Sequence, residues 1–208
     1  GYCIFNDEAV RDASRQEIIR RYYLSLCEHR KGRLDEAGAE KAELLMKQAG
    51  VGTDNRPCVK AALDKADLTN QPAAAIELPD GTVVTGKTSD LLGPASAVLL
   101  NAAKKLGGLP KDKLLISPAV LEPIQKLKLG TLGNHNPRLH TDETLIALSI
   151  SAAGDPDAAL AYEQLAKLRG CEAHSTVILS QVDDDVYRKL GINLTCEPRY
   201  QTKKLYHK

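Results

Sequence analysis

Ala73-Ala74-Ala75-Ile76-Glu77-Leu78-Pro79-Asp80-Gly81-Thr82-Val83-Val84-Thr85-Gly86 is the stretch that decides the fold. Two runs that favour extended backbone flank Pro79-Asp80-Gly81, a combination that predicts a β-hairpin. Downstream of it, helical patterns alternate with short apolar runs. Pro94 opens a helix to about Leu106, with Val98, Leu99, Ala102 and Leu106 on one face. Lys113–Ile116 reads as a strand, and Ser117-Pro118 supplies an N-cap and a first-turn proline for a helix to about Lys128. Thr141 starts a helix to about Ala153, and Asp155-Pro156 starts another that closes at Gly170. Thr176–Leu179 reads as a strand. Ser180 through Asp183 has capping-box spacing for a helix ending at Gly191, and Ile192–Cys196 reads as the last strand.

Strands alternating with helices imply an α/β class, here a three-layer α-β-α sandwich whose sheet is largely parallel after the hairpin. Upstream, helical patterns at 7–31, 34–49 and 58–69 are separated by Gly32, Gly50 and the turn-rich 51–57, so residues 1–70 read as a small helical unit ahead of an α/β domain at 71–208. The element order from 72 to 196 resembles the cytidine-deaminase-like fold, with a two-helix insertion at 141–170. Element order alone carries that comparison.

Composition narrows the function classes. The 208 residues carry 28 basic and 27 acidic side chains, a net charge of +1, which gives no overall footprint for nucleic acid. With 4% aromatic residues and no Trp, base-stacking platforms are poorly supplied. Apolar runs fall far short of the ~20 residues of a membrane span, and the first residues lack a signal-peptide pattern. The five cysteines, Cys3, Cys27, Cys58, Cys171 and Cys196, are widely spaced without C-x-x-C, and are expected to be reduced thiols of a cytoplasmic protein. The start at Gly1 rather than Met reads as that of a fragment.

Gly81 to Thr88 matches G-x-x-x-x-G-K-[ST] letter for letter. Local chemistry argues against a phosphate loop, because Thr82-Val83-Val84-Thr85 favours a strand and the next helix waits until Pro94. Lys87, Thr88, Ser89 and Asp90 still follow a strand and approach a helix start, where an anion can be held. A zinc deaminase needs thiol and imidazole ligands where two helices open. Lys87–Ala95 and Ser117–Glu122 contain neither, so no metal is expected there.

The densest chemical run is Asn134-His135-Asn136-Pro137-Arg138-Leu139-His140-Thr141-Asp142-Glu143, followed by Cys171-Glu172-Ala173-His174-Ser175. Both lie at element junctions. His135, His140, Asp142, Glu143, Cys171, Glu172 and His174 are the candidate catalytic residues, as acids, bases or nucleophile. Arg138 and Thr141 join Lys87–Asp90 as candidate ligands for a carboxylate or phosphate. The same residues also suit structural work: Asn-Pro makes a turn, Thr141 caps a helix, Asp142 and Glu143 suit its dipole, and Cys171 can be buried. The basic tail, 197–208, offers Lys203 and Lys204 as phosphate contacts.

Five stretches together resemble one bacterial family, catalogued as domain of unknown function 1846. They are Gln16–Tyr23, Thr85–Gly93, His135–Glu143, Leu168–Ser175 and Gln201–Lys208. The resemblance implies the C-terminal part, roughly two-fifths, of a longer protein whose N-terminal part carries a Gly-rich phosphate-loop-like segment and is the expected partner. It brings no established activity and no catalytic residues, and leaves the cofactor unknown. The expected function is binding of a phosphorylated or nucleotide-like small molecule by one module of an enzyme. The alternative is a non-catalytic scaffold or homo-oligomerisation domain. Neither involves nucleic acid or a membrane.

Overall fold

The computed structural model describes residues 6–201. Asn6 caps α1 (Asp7–Arg30) by accepting from the Ala9 N–H, and α1 pairs with α2 (Glu36–Gln48), capped by Asp35. Ile19, Tyr23, Met46, Val51 and Val59 form the small core of this helical pair. Pro57 starts α3 (Pro57–Thr69), which ends at Asn70 in the left-handed conformation. Although α3 falls within the stretch read as the helical unit, it packs across three strands of the sheet.

The hairpin forms as expected. β1 (Ala73–Glu77) pairs antiparallel with β2 (Val83–Lys87), and Gly81 supplies the positive φ of the turn while Asp80 accepts from the Thr82 N–H. Next come α4 (Pro94–Leu106), α5 (Pro118–Lys126) with a π-helical turn at Leu127–Thr131, α6 (Thr141–Ala152) and α7 (Pro156–Gln164). β3 (Glu172–Ser175), α8 (Gln181–Leu190) and β4 (Asn193–Cys196) complete the described chain. The sheet order is β2-β1-β3-β4.

Helices lie on both faces of this mixed α/β sheet. Ala75 packs with Cys58 and Ala62 of α3, whereas Ala74, Ile76 and Ala173 join Val98, Leu99, Leu139, Leu148 and Tyr187 in the main core on the other face. Small residues let the layers approach closely. A Cβ on Gly86 would run into Val98 N and lie 2.7 Å from Ala97 C, so α4 rests directly on the strand backbone. Gly86 therefore serves helix–strand packing, and the Gly81–Thr88 match holds a strand where a phosphate loop would need a coil.

Three strand expectations need correction. Lys113–Ile116 joins no ladder among the described residues. Leu115 and Ile116 are buried by side-chain packing alone. The third strand is Glu172–Ser175, not Thr176–Leu179. The sheet is also less parallel than expected: β1 runs antiparallel to both β2 and β3, and only β3 and β4 are parallel. The apolar run Val177-Ile178-Leu179 misled the periodicity because the true strand carries polar side chains, a half-buried Glu172 and a buried His174, whose partners lie far away in sequence.

Candidate functional site

Two loops meet beside the start of α6. The segment leaving β2 and the segment entering α6 run parallel at Leu92 and Leu139, and the Leu139 N–H donates to Leu91 O at 2.9 Å. Arg138 Nε donates to Ser89 O at 2.7 Å, and the Ser96 hydroxyl to Leu139 O at 3.2 Å. Ser89 Oγ in turn accepts from the Leu92 N–H at 3.1 Å, tightening its own turn. From the other side, Gln125 Nε2 donates to Pro137 O at 3.1 Å. Lys128, 3% exposed, donates to Arg138 O at 2.7 Å and to Glu143 Oε2 at 2.6 Å. Glu143 Oε2 also accepts from the His140 N–H at 2.8 Å. The loop 137–140 is thus held from three directions.

His140 sits at the centre of a second set of contacts. Its Nδ1 lies 3.3 Å from Asp183 Oδ2 and 3.3 Å from Ser180 Oγ, which itself donates to Asp183 Oδ2 at 2.7 Å. Asp183 Oδ1 accepts from the Thr141 N–H at 2.9 Å and from the Thr141 hydroxyl at 3.0 Å. The hydrogen bond to Asp183 raises the His140 pKa against the opposing effect of burial. Burial works against ionisation of Asp183, yet His140, the Thr141 N–H and Ser180 together hold its carboxyl below the ordinary value. Nδ1 is oriented by a buried carboxylate, and Nε2 accepts or donates no hydrogen bond among the described residues. That is the arrangement of an imidazole fixed in orientation and free at one nitrogen to move a proton.

Glu172 and His174 belong to a different place, and Cys171 is buried in the main core. Cross-strand pairing sets His174 opposite Ala75, on the α1 and α3 face of the sheet, whereas Leu139 and α8 pack on the other face. His174 is fully buried against Tyr23, donates or accepts through Nδ1 with Thr195 Oγ1 at 2.8 Å, and has Nε2 3.2 Å from Glu197 Oε1 without a well-aligned hydrogen bond. Burial lowers its pKa, and Glu197 only partly opposes this. Glu172 is paired with Arg20 at 2.8 Å and with the fully buried Arg56. Arg56 also donates to Thr195 Oγ1, Gln16 Oε1, Ala173 O and Asn193 O, so all five guanidinium protons are used. Cys171 is buried, and burial raises its thiol pKa, which makes it a poor nucleophile.

The remaining candidates divide in the same way. Ser89 and Asp90 are exposed in the loop that Arg138 bonds and Lys87 is exposed at the end of β2, while Thr88 is buried with an unpartnered hydroxyl. His135 and Asp142 are exposed. The start of α6, considered for an external anion, is already occupied by Asp183 and Glu143. Among the described residues no three His, Cys, Asp or Glu side chains are arranged to hold a metal ion. Lys203 and Lys204 lie outside the described residues. Sequence reasoning missed Asp183, Ser180, Lys128 and Arg56. The Ser180-to-Asp183 spacing was visible, but it pointed only to a cap for α8, and nothing local showed that Asp183 also reaches α6.

A family model described as "Domain of unknown function DUF1846, C-terminal" matches residues 54–206, and one described as "Domain of unknown function DUF1846, N-terminal" matches residues 1–50. The chain belongs to the DUF1846 family. The expectation of a purely C-terminal piece is corrected here, since the α1–α2 pair matches the N-terminal model. A UPF0371 protein of Streptococcus pyogenes serotype M5 (strain Manfredo) is 51% identical over 208 residues, which is 100% of this chain and 42% of that protein. A UPF0371 protein of Streptococcus thermophilus (strain CNRZ 1066) is matched equally, at 51% over the same spans. The chain therefore spans about two-fifths the length of the curated relatives it matches. The DUF1846 model boundary, between residues 50 and 54, falls just ahead of α3, in keeping with α3 packing on the sheet.

Proposed function

We propose that this chain forms one wall of a small-molecule site for a phosphorylated or nucleotide-like ligand, with His140 as its proton-transfer residue. One observation carries the reading: a buried Asp183 orients His140 through Nδ1, two residues from Arg138, whose guanidinium reaches Ser89 O. Arg138 offers a fork of donors beyond its Nε, a means of holding an anionic group. His174 and Glu172 lie across the sheet and Cys171 is buried in the main core, so they support a structural part rather than this one. The likeness to the cytidine-deaminase-like fold belongs to the same proposal. It is supported by the helix-flanked sheet and hairpin, without the zinc ligands that deamination would need.

The test is a thermal-shift screen of a full-length family protein against inorganic phosphate, sugar phosphates and nucleotides. A ligand present at 100 times its Kd should stabilise by about 2.7 kcal/mol. The Arg138→Met and His140→Ala variants should lose that response or the associated turnover while remaining folded. Full response in both variants would overturn the assignment. A second reading, that the domain is a scaffold, draws on α6, where Ile146 and Ile150 stand exposed one turn apart. Concentration-dependent self-association abolished by Ile146→Lys, with no ligand response, would establish it instead.

A further inference from the structure

We infer that the outward face of the α1–α2 pair is the seat of the rest of the N-terminal domain that the longer family members carry. One side of the pair is spent on its own core and on the sheet: Ile19, Tyr23 and Met46 are buried there, and the Cys27 thiol donates to Cys196 O. The other side is not. Between the helices lies a groove of about 520 Å³, lined by Ile18, Ala42, Leu45 and Ala49, with Glu17 and Arg21 on its rim. Leu45 and its neighbour Leu44 are 50% and 53% exposed on α2, while Leu24 of α1, also exposed, lies beside Tyr23 and Cys27 on the flank nearer the sheet. A helix pair leaving leucines of α2 in water beside this groove forms a layer with a partner on one side only.

The comparisons say which partner. Residues 1–50 match the family's N-terminal domain model, while α1 packs on β4 of the C-terminal sheet as well as on α2. In the streptococcal relatives, more than half of the chain lies outside the matched 208 residues. A pair of helices that belongs by sequence to one domain and leans on another by contact is the joint between them. The partner this face fits is an apolar helix or strand surface that inserts aliphatic side chains between α1 and α2 and meets Arg21 with a carboxylate or carbonyl at the rim. The inference does not depend on the chemistry proposed for His140.

Hydrogen exchange on the 208-residue chain and on the full-length Streptococcus pyogenes relative tests it. Amides of residues 17–24 and 42–49 should exchange at least about tenfold slower in the longer protein. Leu44→Lys with Leu45→Lys should leave the melting temperature of the 208-residue chain within about 2 °C, and the same change at the aligned positions should lower that of the relative by about 5 °C or more. Equal exchange in the two proteins overturns the inference, and the exchange result decides if the variants do not fold. A dimer of the 208-residue chain that Leu45→Lys dissociates would also overturn it, since the occupant would be a second copy.

Discussion

Asp183, in the first turn of α8, places a carboxylate oxygen 2.9 Å from the Thr141 N–H and so fills the start of α6 with an internal anion. Two helix starts share one carboxylate, because Ser180 ties the same side chain to α8. The free amides and helix dipole that would attract a ligand phosphate are thereby satisfied from within, and any anion must be met by side chains instead. The same contact fixes His140.

Asp183→Asn should lower the His140 pKa toward or below the ordinary imidazole value, read from the ring resonances by NMR titration. His140 is raised in the fold, so its share of stability is complete below about pH 6.5 and is lost as pH climbs through the folded value. Asp183 is depressed, so its share is present above about 3.8 and is lost as pH falls through its folded value. The variant should cost about 1–3 kcal/mol, most of it between those two limits. An unchanged His140 titration would rule out the dyad.

His174 carries the opposite sign. Burial depresses its pKa, so the stability it contributes is present above about 6.5 and declines on acidification. His174→Gln can keep a hydrogen bond to Thr195 while removing the titration. Between pH 7 and 5 its unfolding free energy, from urea melts, should fall less than that of the parent. Parallel pH profiles would show that His174 does not titrate in this way.

Gly86→Ala should destabilise by about 1–3 kcal/mol or more, because the added carbon meets the backbone of α4. Lys87→Ala, one residue on and exposed, should stay within about 0.5 kcal/mol of the parent. Chemical denaturation of the pair separates a packing glycine from a phosphate-loop glycine. Tolerance of alanine at 86 would contradict the packing.

Arg56→Met should cost about 3–5 kcal/mol, since it strands Glu172 and two carbonyls inside the protein. Arg20 would remain as the single cation beside Glu172. Equilibrium unfolding of the variant measures the loss, and a change under about 1 kcal/mol would mean that water replaces the guanidinium freely.

What could be seen in advance was local. The hairpin turn, the prolines at the starts of α3, α4, α5 and α7, and Gly191 in the left-handed conformation after α8 all write their geometry into adjacent residues. The third strand was hidden because the half-buried, paired Glu172 reads as a surface residue unless Arg56, 116 positions earlier, is known to meet it. The site was half visible for the same reason. His140 and Arg138 stand two residues apart and looked like chemistry, whereas Cys171 and His174 looked equally like chemistry, yet one is buried in the main core and the other lies across the sheet. No spacing rule tells which face of a strand a histidine takes when both faces are covered.

The guanidinium of Arg56 sets the order in which this chain can be finished. Its acceptors at Thr195 and Glu172 come 139 and 116 residues later, and β1 likewise waits for β3 to supply its second neighbour. On the ribosome, α3 emerges long before any of these, and its charged neighbour must stay in water until nearly the whole described chain has been made. Assembly of the sheet is therefore bound to β3 and β4, far along the described chain from α3, with the slow closure that such distant pairings impose. A chain stopped short of Asn193 would leave the Arg56 guanidinium without its Thr195 and Asn193 acceptors, although α3 would still rest on β1, β2 and β3.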